Sequence, residues 1–461
     1  MHPFAASPSP TQVFPDLRLD KRFLTLVDAL AKNPTGSIPE ACENPAATKA
    51  AYRFLNSENF STETIDEWMY QETLGHIPSD ATILVAQDTT SLNYSSHPQT
   101  KDLGYIDDKH TKGLLMHTGF AITQEGLPLG VLYRKTWVRS EDGYGKREQR
   151  KKKPTEAKES FRWQETASSV EARIPSTVRV ITISDRESDV FDYLARERAS
   201  NCEFLLRITQ NRCLAKDSEC HLLFEQLEAA PIQERAVISI TDHQTGLTRH
   251  AHIHYRWSDV LLNPPVSGNS TRKHPVHVSV ILVREEEAPN GVKPVEWKLM
   301  TSVTISTIED ALRAVQWYGR RWLIERFHYV LKSGCTIEKL QLETAAGLDR
   351  AIAMYAIVAW RLMYLTYLGR VEPEASAEKI LQRYEWEALY CFTKKTRRLP
   401  DRPPTVSEAI KMIAGLGGFM GRKGDGAPGV KVLWRGMRRL DDIAEAYRFF
   451  LSATKEDVGN G

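Results

Sequence analysis

The apolar positions of this chain change their period several times along its length. From Asp16 to about residue 70 they recur at helical spacing. Leu24, Val27, Leu30 and Ala31 fall on one face, Asn33-Pro34-Thr35-Gly36 stops that helix, and a second helix is expected over residues 46–55. The centre of the chain reads as strands. Thr82-Ile-Leu-Val-Ala is a short apolar run that closes on Gln87-Asp88, and Val178-Arg-Val-Ile-Thr-Ile-Ser closes on Asp185. Both have the length of buried strands with an acid at the C-terminal end. Residues 114–123 and 128–137 are expected as neighbouring strands, and residues 187–198 as a helix behind the second acid. Between about 215 and 300 strand patterns dominate, in Ala236-Val-Ile-Ser-Ile, His250-Ala-His-Ile-His-Tyr-Arg-Trp and Val276-His-Val-Ser-Val-Ile-Leu-Val. A long helix is predicted over about 308–333, with Ser306 and Glu309 as a capping box and Gly334 as its stop. A strongly apolar helix over 348–368 follows, and the rest is helical apart from a glycine-rich interruption at 415–429.

This alternation predicts an α/β fold flanked by helical ends. The expected organisation is a helical module over 1–70, an α/β domain over 71–370 with a β-rich insertion at about 215–300, and a helical module over 371–461. Acids at the C-terminal ends of strands in such a sheet stand where ligands and reacting groups usually gather.

Composition narrows the class. With 461 residues, 41% hydrophobic and 26% charged, the chain is long and apolar enough for two or three folded domains and is not a disordered protein. No stretch reads as a membrane span, and residues 1–15 lack the basic-then-apolar order of a signal peptide, so a cytoplasmic location is expected. The six cysteines (Cys42, Cys202, Cys213, Cys220, Cys335 and Cys391) form no Cys-x-x-Cys pair and are expected as buried free thiols. A net charge of +2 is compatible with nucleic-acid binding if an acidic site lies within a locally basic surface.

The predicted helix at 308–333 carries the chemistry. At about 100° per residue with Tyr318 at zero, Arg321, Glu325 and Lys332 fall about 60°, 20° and 40° to one side, a single narrow stripe. Other faces carry Leu312, Val315, Trp322, Leu323, Phe327 and Val330, so the helix should be largely buried and its polar stripe should need partners. Two readings stand. Arg321 and Glu325, four residues apart, form an internal ion pair; or Glu325 joins Asp88 and Asp185 as a third hard oxygen ligand for magnesium or manganese, with Tyr318, Arg321 and Lys332 on flanking phosphates. Glu187 and Asp189 are expected to cap or solvate the helix after Asp185, and His117 to be a core residue or to support the acids. His250, His252 and His254 lack a visible supporting shell for a metal. The basic run at 146–153 suits a DNA backbone or a solvated loop.

Tyr318-x2-Arg321-x3-Glu325-x6-Lys332 resembles the signature of the Tn-five-type DDE transposases, within the insertion-sequence-four family. Four further segments resemble the same family in the same order. They are Asp16-Leu-Arg-Leu-Asp-Lys-Arg with Ala47-Thr-Lys-Ala-Ala-Tyr-Arg-Phe, Asp88-Thr-Thr-Ser-Leu-Asn-Tyr, Ser184-Asp185-Arg-Glu-Ser-Asp189, and Leu416-Gly-Gly-Phe-Met with Leu433-Trp-Arg-Gly. The likeness spans about residues 15–450. It implies a ribonuclease-H-like catalytic core with a β-strand insertion before its last acid. It implies Asp88, Asp185 and Glu325 as ligands of two Mg2+ (or Mn2+) ions per active site, and Tyr318, Arg321 and Lys332 as holders of the DNA end. Trp297 aligns with a tryptophan that stacks on a flipped base, although its residue type alone equally fits a core aromatic. Arg207, Arg22, Lys32 and Arg53 align with DNA-contacting positions.

The activity so implied is cut-and-paste transposition of double-stranded DNA by a bacterial, nucleoid-associated enzyme. It would cleave at inverted terminal repeats of its own element, form and resolve a hairpin, and transfer the strand to target DNA. A homodimer would act on paired ends, with the C-terminal module in subunit contact. The rival of a different class is a transposase-derived DNA-binding regulator that no longer cuts; a general metal-dependent nuclease is a third reading.

Overall fold

A computed structural model of the chain describes residues 13–42, 44–140, 154–215, 220–241, 248–266, 272 and 274–458. Its centre is one large mixed sheet. The strands are β1 (Thr82–Asn93), β2 (Gly104–Tyr105), β3 (Lys112–Thr123), β4 (Pro128–Trp137), β5 (Arg179–Ser184), β6 (Cys202–Arg207), β7 (Glu234–Thr241), β8 (Thr248–Leu262), β9 (Val276–Glu285) and β10 (Glu296–Thr301). Their order across the sheet is β2-β3-β1-β5-β6-β10-β9-β8-β7, and β4 also pairs with β3. Only β1–β5 and β5–β6 are parallel pairs. These strands read as continuous apolar runs because they are buried on both faces.

The region at 215–300 does form strands, but they are no separate layer. β10 pairs antiparallel with β6, so β7 to β10 extend the central sheet itself. β1 is longer than its apolar run: it continues through Thr89-Thr90-Ser91 to Asn93, paired to β3 throughout. The helix expected at 187–198 is reduced to two short turns, Arg186–Ser188 and Phe191–Leu194. The cause is Asp189. Its carboxylate turns inward to accept from the Thr209 and Gln210 backbone N–H groups, both at 2.8 Å, and from the Arg212 guanidinium. Further along, Arg198 donates to the Leu194 and Arg196 carbonyls, bonds that compete with helix.

Helices pack against this sheet and, at the two ends of the chain, against the Ala345–Val371 helix. Leu17–Lys32 and Pro45–Leu55 bury Phe23, Leu26, Val27, Leu30 and Phe54 in a core continuous with that of the sheet. The Ala345–Val371 helix corrects one expectation, since it is long and apolar enough to cross a membrane. Its apolar window is nevertheless 83% buried within the protein, where it serves as the central core helix. Beyond it, Arg383–Lys394, Val406–Leu416 and Val430–Val458 form a second core with Leu365 and Leu368. The six cysteines are free; Cys42, Cys202 and Cys335 are buried as expected, but Cys213 is exposed.

One buried ion network ties three of these parts together. Arg134 of β4, 2% exposed, donates to Asp66 of the Thr62–Gly75 helix at 2.8 and 3.0 Å and to Asp349 of the Ala345–Val371 helix. Removing one member of such a network strands the others as uncompensated buried charges. Arg134→Ala should therefore lower stability by about 3–5 kcal/mol, read as a fall in the urea unfolding midpoint. An unchanged midpoint would show that Asp66 and Asp349 find other partners.

Candidate active site

The site begins where two parallel strands part. The β1–β5 ladder runs from Thr82 opposite Arg179 to Ala86 opposite Ile183 and stops there. Asp88 and Asp185 stand two residues further along each strand, so the two acids lie level with one another. Asp88 is not at the end of its strand. It sits in mid-strand opposite Thr118 of β3, two residues past the last β1 position paired to β5. Asp185 caps a turn, accepting from the Glu187 backbone N–H at 2.9 Å.

A broken helix lies across these strand ends. Thr307 and Asp310 form its capping box, one residue beyond the predicted pair, and it runs Ile308–Arg320, resumes at Trp322–Tyr329, and ends in a π turn at Val330–Gly334. The first part packs on β5 and β6, the second on β1. The polar stripe therefore meets the acids in order. Tyr318 is buried edge-to-face against half-buried Trp297 of β10, with ring centroids 5.5 Å apart. Burial raises the Tyr318 phenol above its usual range, while Arg321 and Arg207 pull it down and Asp185 pushes it up, so all three stand close to it. Arg321 is paired with Glu325. Burial disfavours the Arg321 charge, but Tyr318, Glu325 and Asp88 outweigh that effect. One turn on, His328 lies 3.5 Å from Asp88 and 3.4 Å from the Thr118 hydroxyl. Lys332 donates to the Ser91 carbonyl at 2.8 Å and lies 3.6 Å from Glu338.

Periodicity gave no hint of the opposite wall. Arg162, from the Phe161–Glu171 helix, donates to the Thr89 hydroxyl at 2.8 Å and pairs with Glu187. It thus bridges the neighbours of Asp88 and Asp185. Burial holds its guanidinium below the usual arginine value, against the pull of Glu187, Glu159 and Asp185. The Thr89 hydroxyl also meets His117 Nδ1 at 2.8 Å, and His117 Nε2 lies 3.2 Å from Gln87. His117 is fully buried, which drives its pKa well down. The only sequence signal for Arg162 is an arginine set between Phe161 and Trp163.

The other candidates separate by position. Arg207 donates to the Glu296 carbonyl at 3.0 Å, beside the Trp297–Tyr318 contact. Arg22 and Arg53 are exposed on the N-terminal helices, away from the acids in sequence and element. Lys32 is occupied: Asp28, Asp441 and Glu445 surround its ammonium at 3.3–3.7 Å, two of them from the C-terminal helix. Glu187 and Asp189 do not cap a helix, being held by Arg162 and Arg212. His254 is buried 3.6 Å from Glu286, whereas His250 and His252 are exposed. The basic run at 146–153 lies outside the described residues.

The chemistry of the donor set fits a hard divalent cation: three carboxylates, two of them level on adjacent strands and the third on a helix across them. In this conformation Glu325 is turned onto Arg321, and among the described residues no three His, Cys, Asp or Glu side chains are closed into a metal shell.

Comparison with known families gives three matches along the chain. A transposase DNA-binding model matches residues 1–60, a transposase DDE domain model residues 156–361, and a transposase Tn5 dimerisation domain model residues 357–456. The mixed sheet is thus that of a ribonuclease-H-like DDE transposase domain. With all three parts present in order, the chain belongs to the Tn5-type DDE transposases, proteins that bind DNA and dimerise. The DDE match begins after β1, so Asp88 lies outside it, and the strand register sets Asp88 level with Asp185, which lies within it.

Groups that hold the neighbours of metal-ligating acids typically contribute 10–100-fold to activity. Arg162→Ala should lower DNA cleavage by about 10–100-fold while leaving the thermal midpoint near that of wild type. Full cleavage by the folded variant would reduce Arg162 to a surface-loop tie.

Proposed function

We propose that this chain is a cut-and-paste transposase whose Asp88, Asp185 and Glu325 hold two Mg2+ or Mn2+ ions at the scissile phosphodiester. The observation that carries this reading is the level placement of Asp88 and Asp185 where β1 and β5 part, beneath the helix bearing Glu325. When bound, such ions activate water or a 3′-hydroxyl and stabilise the leaving oxygen.

The chain's own residues do the rest. Arg321 lies between Glu325 and Asp88. A DNA phosphate arriving at Arg321 offers its guanidinium a bidentate partner and frees Glu325 to turn toward the other acids. Tyr318, Arg207 and Lys332 fix the phosphates on either side, and Trp297 offers an aromatic face to an unstacked base. Arg22 and Arg53 meet the terminal repeat through the N-terminal module. Lys32 can join them only by leaving Asp441 and Glu445. The modules act over about 1–70, 71–370 and 371–461, with the Ala345–Val371 helix shared between the last two.

The reaction is a series of in-line displacements at phosphorus. Water cuts one strand and leaves a 3′-hydroxyl. That hydroxyl attacks the opposite strand, closing a hairpin on the element end and releasing the flanking DNA. A second water opens the hairpin, and the 3′-hydroxyl so regenerated attacks target DNA. A homodimer on two paired inverted ends performs this at the nucleoid.

A plasmid carrying the native flanking repeats tests the reading. With magnesium, wild type should release hairpin-ended linear DNA, while Glu325→Ala should bind the repeats and not cut. Removing the metal with EDTA should abolish cutting by wild type and leave repeat binding measurable by gel shift. Wild type that binds but cuts in neither magnesium nor manganese is instead a DNA-binding regulator; cutting without regard to the repeats makes it a general nuclease.

A further inference from the structure

The first three turns of the Val430–Val458 helix hold Lys431, Arg435, Arg438 and Arg439 and no acid. At helical spacing these four cations fall within an arc of about 100°, opposite the buried Leu433 and Leu440. All four are exposed. They line an open cleft of about 790 Å³ whose other walls include Thr35 of the N-terminal module and Ser333, the neighbour of Lys332. No carboxylate is among its described lining residues.

Nothing in the stability of the fold asks for this arrangement. Cations in the first turns of a helix oppose its dipole. Lys431 with Arg435 and Arg435 with Arg439 are like-charge pairs four residues apart, which destabilise a helix. The stripe is also held firmly. Trp434 and Val430 pack into the catalytic core and Leu433 and Leu440 into the C-terminal core. The Gly436 backbone lies so close to Ile413 that a Cβ there would stand 1.8 Å from the Ile413 carbonyl oxygen. Arg439 spends one N–H on the Leu416 carbonyl at 2.9 Å, and Arg438 lies near enough to Glu40 to lower its pKa. Among the described residues, Lys431 and Arg435 have no ion pair. The nearest acids on the same helix are Asp441 and Asp442. Asp441, with Glu445, holds Lys32, and among the described residues Asp442 forms no ion pair with the stripe.

We propose that this cleft is a second DNA-backbone site, in which Lys431, Arg435 and Arg438 grip phosphates of the duplex as it leaves the active site past Ser333. The C-terminal module would then bind nucleic acid besides mediating dimerisation. The inference rests on the DNA substrate of the proposed function and adds a surface to it. Charge complementarity selects the occupant: four clustered cations in a cleft whose described lining holds no carboxylate suit a polyanion, whereas the buried centres of protein interfaces are depleted of charge.

The test is the salt dependence of binding by the full chain to a random-sequence duplex of about 40 base pairs, since each phosphate contact contributes about 0.9 to the slope of log K against log salt. The double variant Arg435→Gln, Arg438→Gln should bind more weakly at low salt, with a slope shallower by about 2. Its thermal midpoint should be equal to or above that of wild type, because two charges unfavourable to the helix are gone. Lys431→Gln alone should reduce the slope by about 1. A folded double variant with the wild-type slope overturns the inference and leaves the proposed function standing. Loss of dimer mass in light scattering with an unchanged slope also overturns it, assigning the stripe to a second copy. Failure of wild type to bind any duplex would sink both.

Discussion

The parting of β1 from β5 is the constraint on which the rest of the site depends. Up to Ala86 and Ile183 the two strands satisfy one another's backbone groups. Past that point β1 keeps only β3, and β5 turns into the Arg186–Ser188 segment. At this opened rim two carboxylates stand level on adjacent strands and still reach solvent. Two acids so placed repel, and the molecule answers from both sides, with Arg321 over Asp88 and Arg162 near Asp185. Both cations are largely buried, so little water screens them from the acids.

Those cations are positioned by elements far apart in sequence. Arg321 sits at the break between two helical segments, which lets the first lie on β5 and β6 and the second on β1. Phe327 stacks on Phe120 of β3 at 4.7 Å, and Lys332 and Glu338 fasten the far end to Ser91 and Asn93. β1 is thus clamped on both sides of Asp88. The Arg134 network anchors β4 to the helices beneath it, and β4 in turn borders β3. Packing distant from the acids therefore fixes the register that makes them level.

The acids were legible because each follows a continuous apolar run, and Tyr318, Arg321, Glu325 and Lys332 because a helical period places them on one stripe. What failed to show was long-range. The 215–300 strands were legible as an insertion, but nothing local says that β10 pairs with β6 and so extends one sheet. The polar half of β1, Thr89-Thr90-Ser91, has no apolar pattern because it is paired on one side only. The apparent helix at 187–198 gave way to a buried Asp189 whose partners, Thr209 to Arg212, lie twenty residues on. Arg162 and His328 were missed for the same reason: their partners Thr89 and Asp88 are visible only once the sheet and helices are assembled. Of the two readings of Arg321 and Glu325, the structure contains the ion pair, and it lies beside Asp88.

Two features of this chain share a physical logic. At the β1–β5 rim, like-charged acids are brought level; along the Val430–Val458 helix, like-charged cations are set at the end of the helix where its dipole opposes them. Each arrangement works against the free fold, and in the second the helix that carries the cations is held by close packing of its backbone and apolar face. The two meet at the end of the active-site helix, where Lys332 faces the first and Ser333 the second. In the function and the second site proposed here, the excess charge at each place would be met by a ligand of the opposite sign, a divalent cation for the acids and a phosphodiester for the bases. A DNA strand with its metal ions is the class of ligand that carries both.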